Sequence, residues 1–386
     1  MIVVPILTRN RNSVVLQARW VRPPITGPRA TRLLMIAWAM GLLFGCNSSS
    51  LTATDAPAPA AWYKGIVHAH ANWGAPQLPT TSPDVVVRWY REHNYNFVSV
   101  TDLNYYTRVE GLKLLFDAPG RFLVVPGIEP SKSAVQPGDK IVDTIGIGIN
   151  GSVDAPIGDT AARILDSEAK AIRRAGGLPI AAHPNLTYAI TAADLLASDQ
   201  TPEPRFFEVW NTEPGMNNLG GGGKPSTEQI WDEVLSTGRV MYATAVDDSH
   251  HFYDFMASRA TAAPLSNPGK AWIMVRAREL SVPALIDSMN AGDFYATTGV
   301  VLEMYEANSA TIRIGLSDRA RDLGWSSAGA NPQLYRTEFI GKGGKVLKTD
   351  ESVNPSYEFT GKELYARARI TSSDGQIAWT QPVFSK

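Results

Sequence analysis

The chain has 386 residues, 44% of them apolar and 19% charged, which allows a large core in two domains and excludes overall disorder. Its formal charge of −1 hides an asymmetry, because the stretch through Cys46 holds six arginines, no lysine and no acid. Without that stretch 30 basic residues face 37 acidic ones, a balance that argues against nucleic-acid binding.

Residues 33–45, LLMIAWAMGLLFG, follow Arg29 and Arg32 and are too few to span a bilayer comfortably. A charged region followed by a short apolar one reads as a signal peptide. The run closes on Leu43-Phe44-Gly45-Cys46, which resembles a bacterial lipobox, whose cysteine is lipidated and becomes the mature N-terminus. Cys46 is the only cysteine, so no disulfide forms within the chain. We therefore expect a signal peptide over 1–46 and a polar, Pro/Ala-rich flexible tether over 47–61. Membrane attachment through lipidated Cys46 would place the protein in the bacterial cell envelope. Asn47 permits the periplasmic side of the outer membrane or the cell surface, and Met35 is an alternative start.

From residue 62 onward, apolar runs alternate with helix-like segments. Strands are expected at 64–69, 96–101, 121–127, 141–149, 178–182, 205–210, 239–246 and 271–277, mostly apolar throughout, as parallel strands covered on both faces are. Helices are expected from Ser82-Pro83-Asp84, which supplies an N-cap, and over 159–175, 226–237 and 281–290, these three ending at glycines. The fold class is α/β: seven or eight β–α units over 62–300 point to a barrel of the TIM type or a close variant, its active site at the carboxyl ends of the strands. Residues 301–386 change to short alternating segments such as TIRIGL and LYARARITS. They read as a small antiparallel β-sandwich, without histidine and without assigned chemistry.

Four of the six histidines fall where an expected strand runs out. His68 and His70 end KGIVHAH, His183 ends LPIAAHP, and His250 sits in VDDSHH, while Glu129 ends FLVVPGIE and Asp102 ends NFVSVTD. Imidazole and carboxylate are the ligands a borderline divalent metal prefers. On a strand, positions i and i+2 face the same way, so His68 and His70 can serve one ion, and Asp248-x-His250 joins them.

HAH at 68–70, SVTD at 99–102, GIE at 127–129, AHP at 182–184 and DDSH at 247–250 stand in the order of the PHP (polymerase and histidinol phosphatase) family, which residues 62–300 resemble. The resemblance implies a distorted barrel of seven parallel strands, a divalent metal centre of zinc, manganese or iron, and hydrolysis of phosphoesters. It further implies that His68, His70, Glu129 and Asp248 hold one ion. His183 would help hold a second bridged by Glu129, and His250 would belong to a third set. The chain departs from the pattern at Leu103, where the family has histidine, and over 130–182, which lacks one altogether. One or two ions are therefore expected, with Asp102, Asp143 or water compensating at the second.

Asp102 and His183 are the candidate catalytic residues, Asp102 orienting a ligand histidine or serving as general base, or else capping the following turn. Asn211, Trp73 and Lys224 are candidate substrate contacts, with Tyr105 a further aromatic wall; Glu208 reads as a structural partner. Gly146-x-Gly148-x-x-Gly151 lacks the strand–helix context of a dinucleotide site, and Pro225 spoils the phosphate loop suggested by the glycines at 220–223. The sequence thus points to a metal-dependent phosphoesterase acting on a small, phosphorylated substrate, with no nucleic-acid partner. The alternatives are a degenerate PHP-like binding lipoprotein, or a hydrolase of a non-phosphate ester, amide or glycan.

Overall fold

The computed structural model describes residues 6–10, 13–17, 59–71, 81–135, 140–199, 205–252, 265–316 and 334–385. The apolar run, the lipobox, the tether up to residue 58, and Trp73 lie outside the described residues. No helix among the described residues is long and apolar enough to cross a membrane. Two compact units are present, Met1–Asp55 and Ala56–Lys386. In the first, β1 (Ile6–Asn10) and β2 (Ser13–Gln17) pair as an antiparallel hairpin. The second unit is a mixed α/β structure and holds every other element.

Its first half alternates strand and helix. β3 (Ala61–Ile66), α1 (Pro83–Glu92), β4 (Phe97–Val100), α2 (Glu110–Phe116) and β5 (Leu123–Ile128) form parallel β–α units. β6 (Ser131–Val135) and β7 (Lys140–Ile147) follow as a hairpin. Then come α3 (Ala161–Arg174), β8 (Leu178–Ala181), α4 (Ala192–Ala197), β9 (Arg205–Asn211), α5 (Thr227–Leu235) and β10 (Met241–Val246). The helix starts carry their signals: Pro83 occupies the first turn of α1, and Thr160, Thr191 and Ser226 accept backbone N–H groups at the starts of α3, α4 and α5. Thr191 and Ser226 complete capping boxes with Asp194 and Gln229.

The strands lie in the order β3–β4–β5–β7–β8–β9–β10. Six run the same way, and β7 is antiparallel to both β5 and β8. This corrects the expectation of seven parallel strands. A parallel neighbour needs a crossover of a dozen or more residues, whereas β5 reaches β7 through β6 with no helix between, so the chain returns reversed. Beyond their paired residues β3 and β10 also meet. Ala69 and Ser249 form a parallel bridge, the His70 N–H donates to the Ser249 carbonyl at 2.9 Å, and the Asp248 N–H donates to the His68 carbonyl at 3.2 Å. The seven-strand run therefore curls until its two edges touch at their carboxyl ends.

β11 (Trp272–Ala277), α6 (Val282–Asn290) and β12 (Phe294–Thr297) come next. The apolar pattern of β11 predicts another parallel strand, but β11 pairs antiparallel with residues 61–65 of β3 and with β12. Leu285 and Met289 of α6 pack with Phe97, Val125, Ile147 and Phe294 at the amino ends of the strands. Gly65 makes this close fit possible, since a Cβ there would lie 2.1 Å from the Phe97 ring.

The sheet continues past β12 into β19 (Ile377–Thr380), β18 (Tyr365–Ser372), β15 (Tyr335–Gly341) and β16 (Lys345–Asp350), with β20 (Val383–Phe384) on β18. A second sheet of β13 (Leu302–Ala307), β14 (Thr311–Leu316) and β17 (Ser356–Glu358) shares a core with it through Leu302, Ile312, Ile314, Phe339, Tyr357 and Ile370. β18 is tied to α5 by buried Arg367, whose Nε and Nη2 donate to the two Asp232 oxygens at 2.8 and 2.7 Å. Nη2 also reaches Glu228 at 3.0 Å.

Candidate metal centre

His68 leaves β3 with its ring fully buried, and Glu208 of β9 determines how that ring is used. Nδ1 lies 2.7 Å from Glu208 Oε1, so the neutral ring keeps its proton there and turns the Nε2 lone pair inward. What Nε2 meets is a set of further acceptors: His70 Nε2 at 3.0 Å, Asp248 Oδ1 at 3.1 Å and Glu129 Oε1 at 3.3 Å. His70 Nε2 in turn lies 3.1 Å from Asp248 Oδ1 and 3.2 Å from Glu129 Oε2. Asp248 Oδ1 is buried yet accepts no hydrogen bond of acceptable geometry. Lone pairs converging on one point are stable only around a cation. For ligand bonds of about 2.0–2.1 Å in a tetrahedron, neighbouring ligand atoms stand about 3.3 Å apart, close to the spacings observed. The donor set therefore fits a divalent ion.

Two further groups adjoin this one. Glu129, Asp143 and His183 converge, with His183 Nε2 3.3 Å from Glu129 Oε1 and 3.4 Å from Asp143 Oδ2. Asp143 Oδ1 is buried without a partner among the described residues. His70, Asp248 and His250 form the third group, the His250 ring stacked on His70 at 4.3 Å and its Nε2 3.9 Å from Asp248. Glu129, His70 and Asp248 are each shared between groups. Asp143 stands on β7 in the histidine-free stretch, so a carboxylate supplies a donor there.

Protonation in the metal-free protein reflects the crowding of carboxylates. Burial pushes the His183 ring down, but Glu129 and Asp143 outweigh it and hold the ring up at about 10. His68 moves the same way: Asp248, Glu208 and Glu129 overcome the cost of burial. Burial, with Glu129 beside it, pushes Asp143 up to about 7. Glu129 and Asp248 are buried too, yet the facing imidazoles hold them below the usual carboxylate range. The cluster attracts positive charge, and protons supply it when no ion does.

The backbone is strained where ligands leave their strands. His183 and Asp248 adopt φ of 22° and 47°, a conformation costly for residues with a Cβ and found at functional sites. Packed neighbours hold it: the His183 N–H donates to Glu208 Oε2 at 2.8 Å, and the Ser266 hydroxyl donates to the Asp248 carbonyl.

Asp102 is buried, and both its oxygens are engaged, by the Ala71 N–H at 2.7 Å and by the Thr107 hydroxyl. It braces the turn after His70. Asn211 is engaged in the same way: its amide donates to Glu208 at 2.9 Å and to Asp248 at 3.0 Å, while its carbonyl accepts the Glu213 N–H. Strict alternation would put Glu208 and Asn211 on opposite faces. A register shift between Thr244 and Ala245 of β10 leaves an extra residue in β9 and turns both inward. Lys224 is exposed, its Nζ 5.2 Å from the Tyr188 ring. Tyr105 is 43% exposed. Leu103 bridges to Glu129 through backbone alone.

Glu213 had no signal in the sequence. It follows β9, and burial together with the Asp248 charge pushes its carboxyl up to about 7, while His183, His68 and His70 pull the other way. Only proximity to the cluster reveals it.

No family profile matches the chain, and no curated protein matches it. Among solved structures it is similar to a two-domain protein containing a predicted PHP-like metal-dependent phosphoesterase from Bacteroides vulgatus, at 11% identity and a TM-score of 0.39 over 84% of this chain and 95% of that one. A superposition that loose does not define a common fold.

Proposed function

We propose that the chain is a metal-dependent hydrolase with a distorted, seven-strand PHP-like barrel, and that it cleaves phosphoesters. The observation that carries the reading is the convergence of His68 Nε2, His70 Nε2, Glu129 and Asp248 Oδ1 at 3.0–3.3 Å without hydrogen-bond geometry at Asp248 Oδ1. Those four residues would hold one divalent ion, and Glu129, Asp143 and His183 a second. A divalent ion supplies Lewis acidity toward a phosphoryl oxygen and a lowered water pKa.

The chain's own groups do the rest. Glu208 keeps the His68 proton on Nδ1, Asn211 pins Glu208 and Asp248 to each other, and Asp102 holds the loop that carries His70. Glu213, with a carboxyl near 7, can hold a proton at neutral pH and give it to a leaving group. Lys224, exposed over Tyr188, is the cation we assign to an anionic substrate arriving at the mouth. Attachment through lipidated Cys46, in the cell envelope, remains part of this reading on the sequence alone.

The test is turnover of an aryl phosphate by protein loaded with manganese, zinc or iron, run beside carboxylic ester, amide and glycoside panels. Phosphate release that His68→Ala abolishes supports the reading. Turnover confined to another panel replaces the phosphoester with that bond, and no turnover on any panel despite bound metal overturns the enzyme.

A further inference from the structure

The end of the second unit opposite the metal centre carries an unusual surface. α2 buries Leu112 and Phe116, yet places Leu114 and Leu115 in solvent at 89% and 70% exposure. These are two adjacent large apolar side chains on a seven-residue helix, with no partner among the described residues. α2 leads into β5 and α1 leads into β4, so both helices finish at the amino ends of the strands. Beside them lies a cavity of about 350 Å³ lined by Arg91, Asn94, Asn96 and Arg121. Arg91 and Arg121 are exposed and make no ion pair among the described residues, and Lys113 on α2 makes none there either. The acids here are Glu92, exposed Glu110 one turn before Leu114 on α2, and Asp117, which accepts the Val124 N–H at 2.7 Å.

The chain enters the unit at this same end. β3 begins at Ala61, and Lys64, four residues along the described chain from Ala60, is already level with Asn96: the Asn96 N–H donates to the Lys64 carbonyl at 2.6 Å and the Lys64 N–H to Asn96 Oδ1 at 2.9 Å. From Cys46 to Pro59 the covalent chain spans 13 residues. Covalent geometry limits that span to about 45 Å. On the reading of Cys46 as a lipid anchor, the end of the unit at which β3 begins is the one nearest along the chain to the attachment.

We propose that this face, Leu114 and Leu115 with Arg91, Lys113 and Arg121, seats on an anionic phospholipid surface, so that the metal centre opens away from the membrane. The leucines enter the boundary between headgroups and acyl chains, and the flanking cations meet lipid phosphates, the arrangement by which peripheral surfaces bind bilayers. A single lipid attachment gains orientation from such a second contact.

The test uses the full chain, processed by the expressing cell and reconstituted into phosphatidylethanolamine vesicles containing phosphatidylglycerol. Nitroxide labels are placed at Leu115→Cys and, as a control at the other end, at Leu219→Cys, which is 75% exposed in the loop after β9. Collision with a water-soluble nickel chelate and with oxygen reports immersion. The proposal expects several-fold less nickel collision and more oxygen collision at 115 than at 219, and a loss of that contrast when Leu114 is also changed to Asp. Equal exposure at both sites overturns it. Shielding at 115 that follows protein concentration without vesicles assigns the face to a second copy and overturns it too. The mass of the N-terminal peptide separately reads lipidation at Cys46. Shielding without lipidation keeps the face and discards the anchor.

Discussion

Glu208 and His68 form the pair on which the centre turns: Oε1 of the carboxylate lies 2.7 Å from Nδ1 of the ring, and both side chains are fully buried. The other oxygen, Oε2, accepts the His183 N–H and an Asn211 amide hydrogen. One carboxylate that binds no metal therefore orients a donor from β3 and a donor from the end of β8.

Glu208→Gln keeps the shape but removes the charge that holds the Nδ1 proton. Partners of this kind typically contribute 10–100-fold to metal affinity, so a loss of about that size is expected in a chelator-competition titration. An unchanged affinity would reduce Glu208 to a packing residue.

The shared donors predict an asymmetry between two substitutions. Glu129→Gln touches both of the principal groups, whereas Asp143→Asn touches only the one with His183. Metal analysis after saturation should show Asp143→Asn retaining the ion at His68, His70 and Asp248, and Glu129→Gln weakening every site. Equal losses from the two would contradict a bridging glutamate.

The pH dependence of the metal-free protein has a definite sign. His183, raised from 6.5 to about 10, contributes stability that is complete below pH 6.5 and is lost as pH rises through about 10. Asp143, raised from 3.8 to about 7, acts in the same direction, because the folded state binds its proton more tightly than the unfolded chain does. Glu129 and Asp248 oppose this only at low pH, where they take up protons. Melting of metal-free protein should therefore shift downward between about pH 6.5 and 8, and saturating metal, which replaces the protons, should remove or reverse the trend. A metal-free melting temperature that rises across that window would show the histidines are not held protonated.

Arg367→Met tests the joint between α5 and β18. The substitution leaves Asp232, buried, without its bidentate partner, and Glu228 without one of its two arginines. Breaking a buried pair from one side costs about 3–5 kcal/mol, which denaturant unfolding would register. The replacement of both Arg367 and Asp232 by apolar residues should recover much of it, and a failure to recover would mean the pair is needed for more than its own charge balance.

Much of this was legible in the sequence, and what was not has identifiable causes. Each of the eight expected strands overlaps an observed one, because continuous apolar runs bounded by Gly, Pro and capping residues mark strands locally. Strand direction is not local. β7 and β11 carry the same apolar pattern as their parallel neighbours, and only the connections that lead into them reverse their sense. Histidines are rare enough for their placement at strand ends to stand out, and the structure brings His68, His70, His183 and His250 together with Glu129 and Asp248. Carboxylates and amides are common, and their roles depend on what lies opposite. Asp102 reads alike whether it faces water or, as here, the Ala71 N–H and Thr107. The inward turn of both Glu208 and Asn211 needs the register shift against β10, which no pattern in RFFEVWN reveals.

The account stands most directly on metal content. Protein purified, stripped and reloaded with zinc or manganese should retain one to two ions per chain after gel filtration, and His68→Ala should lose the tighter one while its far-UV circular dichroism stays unchanged. Retention well below one ion per chain by the unaltered protein, or equal retention by His68→Ala, would contradict a metal centre at the carboxyl ends of these strands.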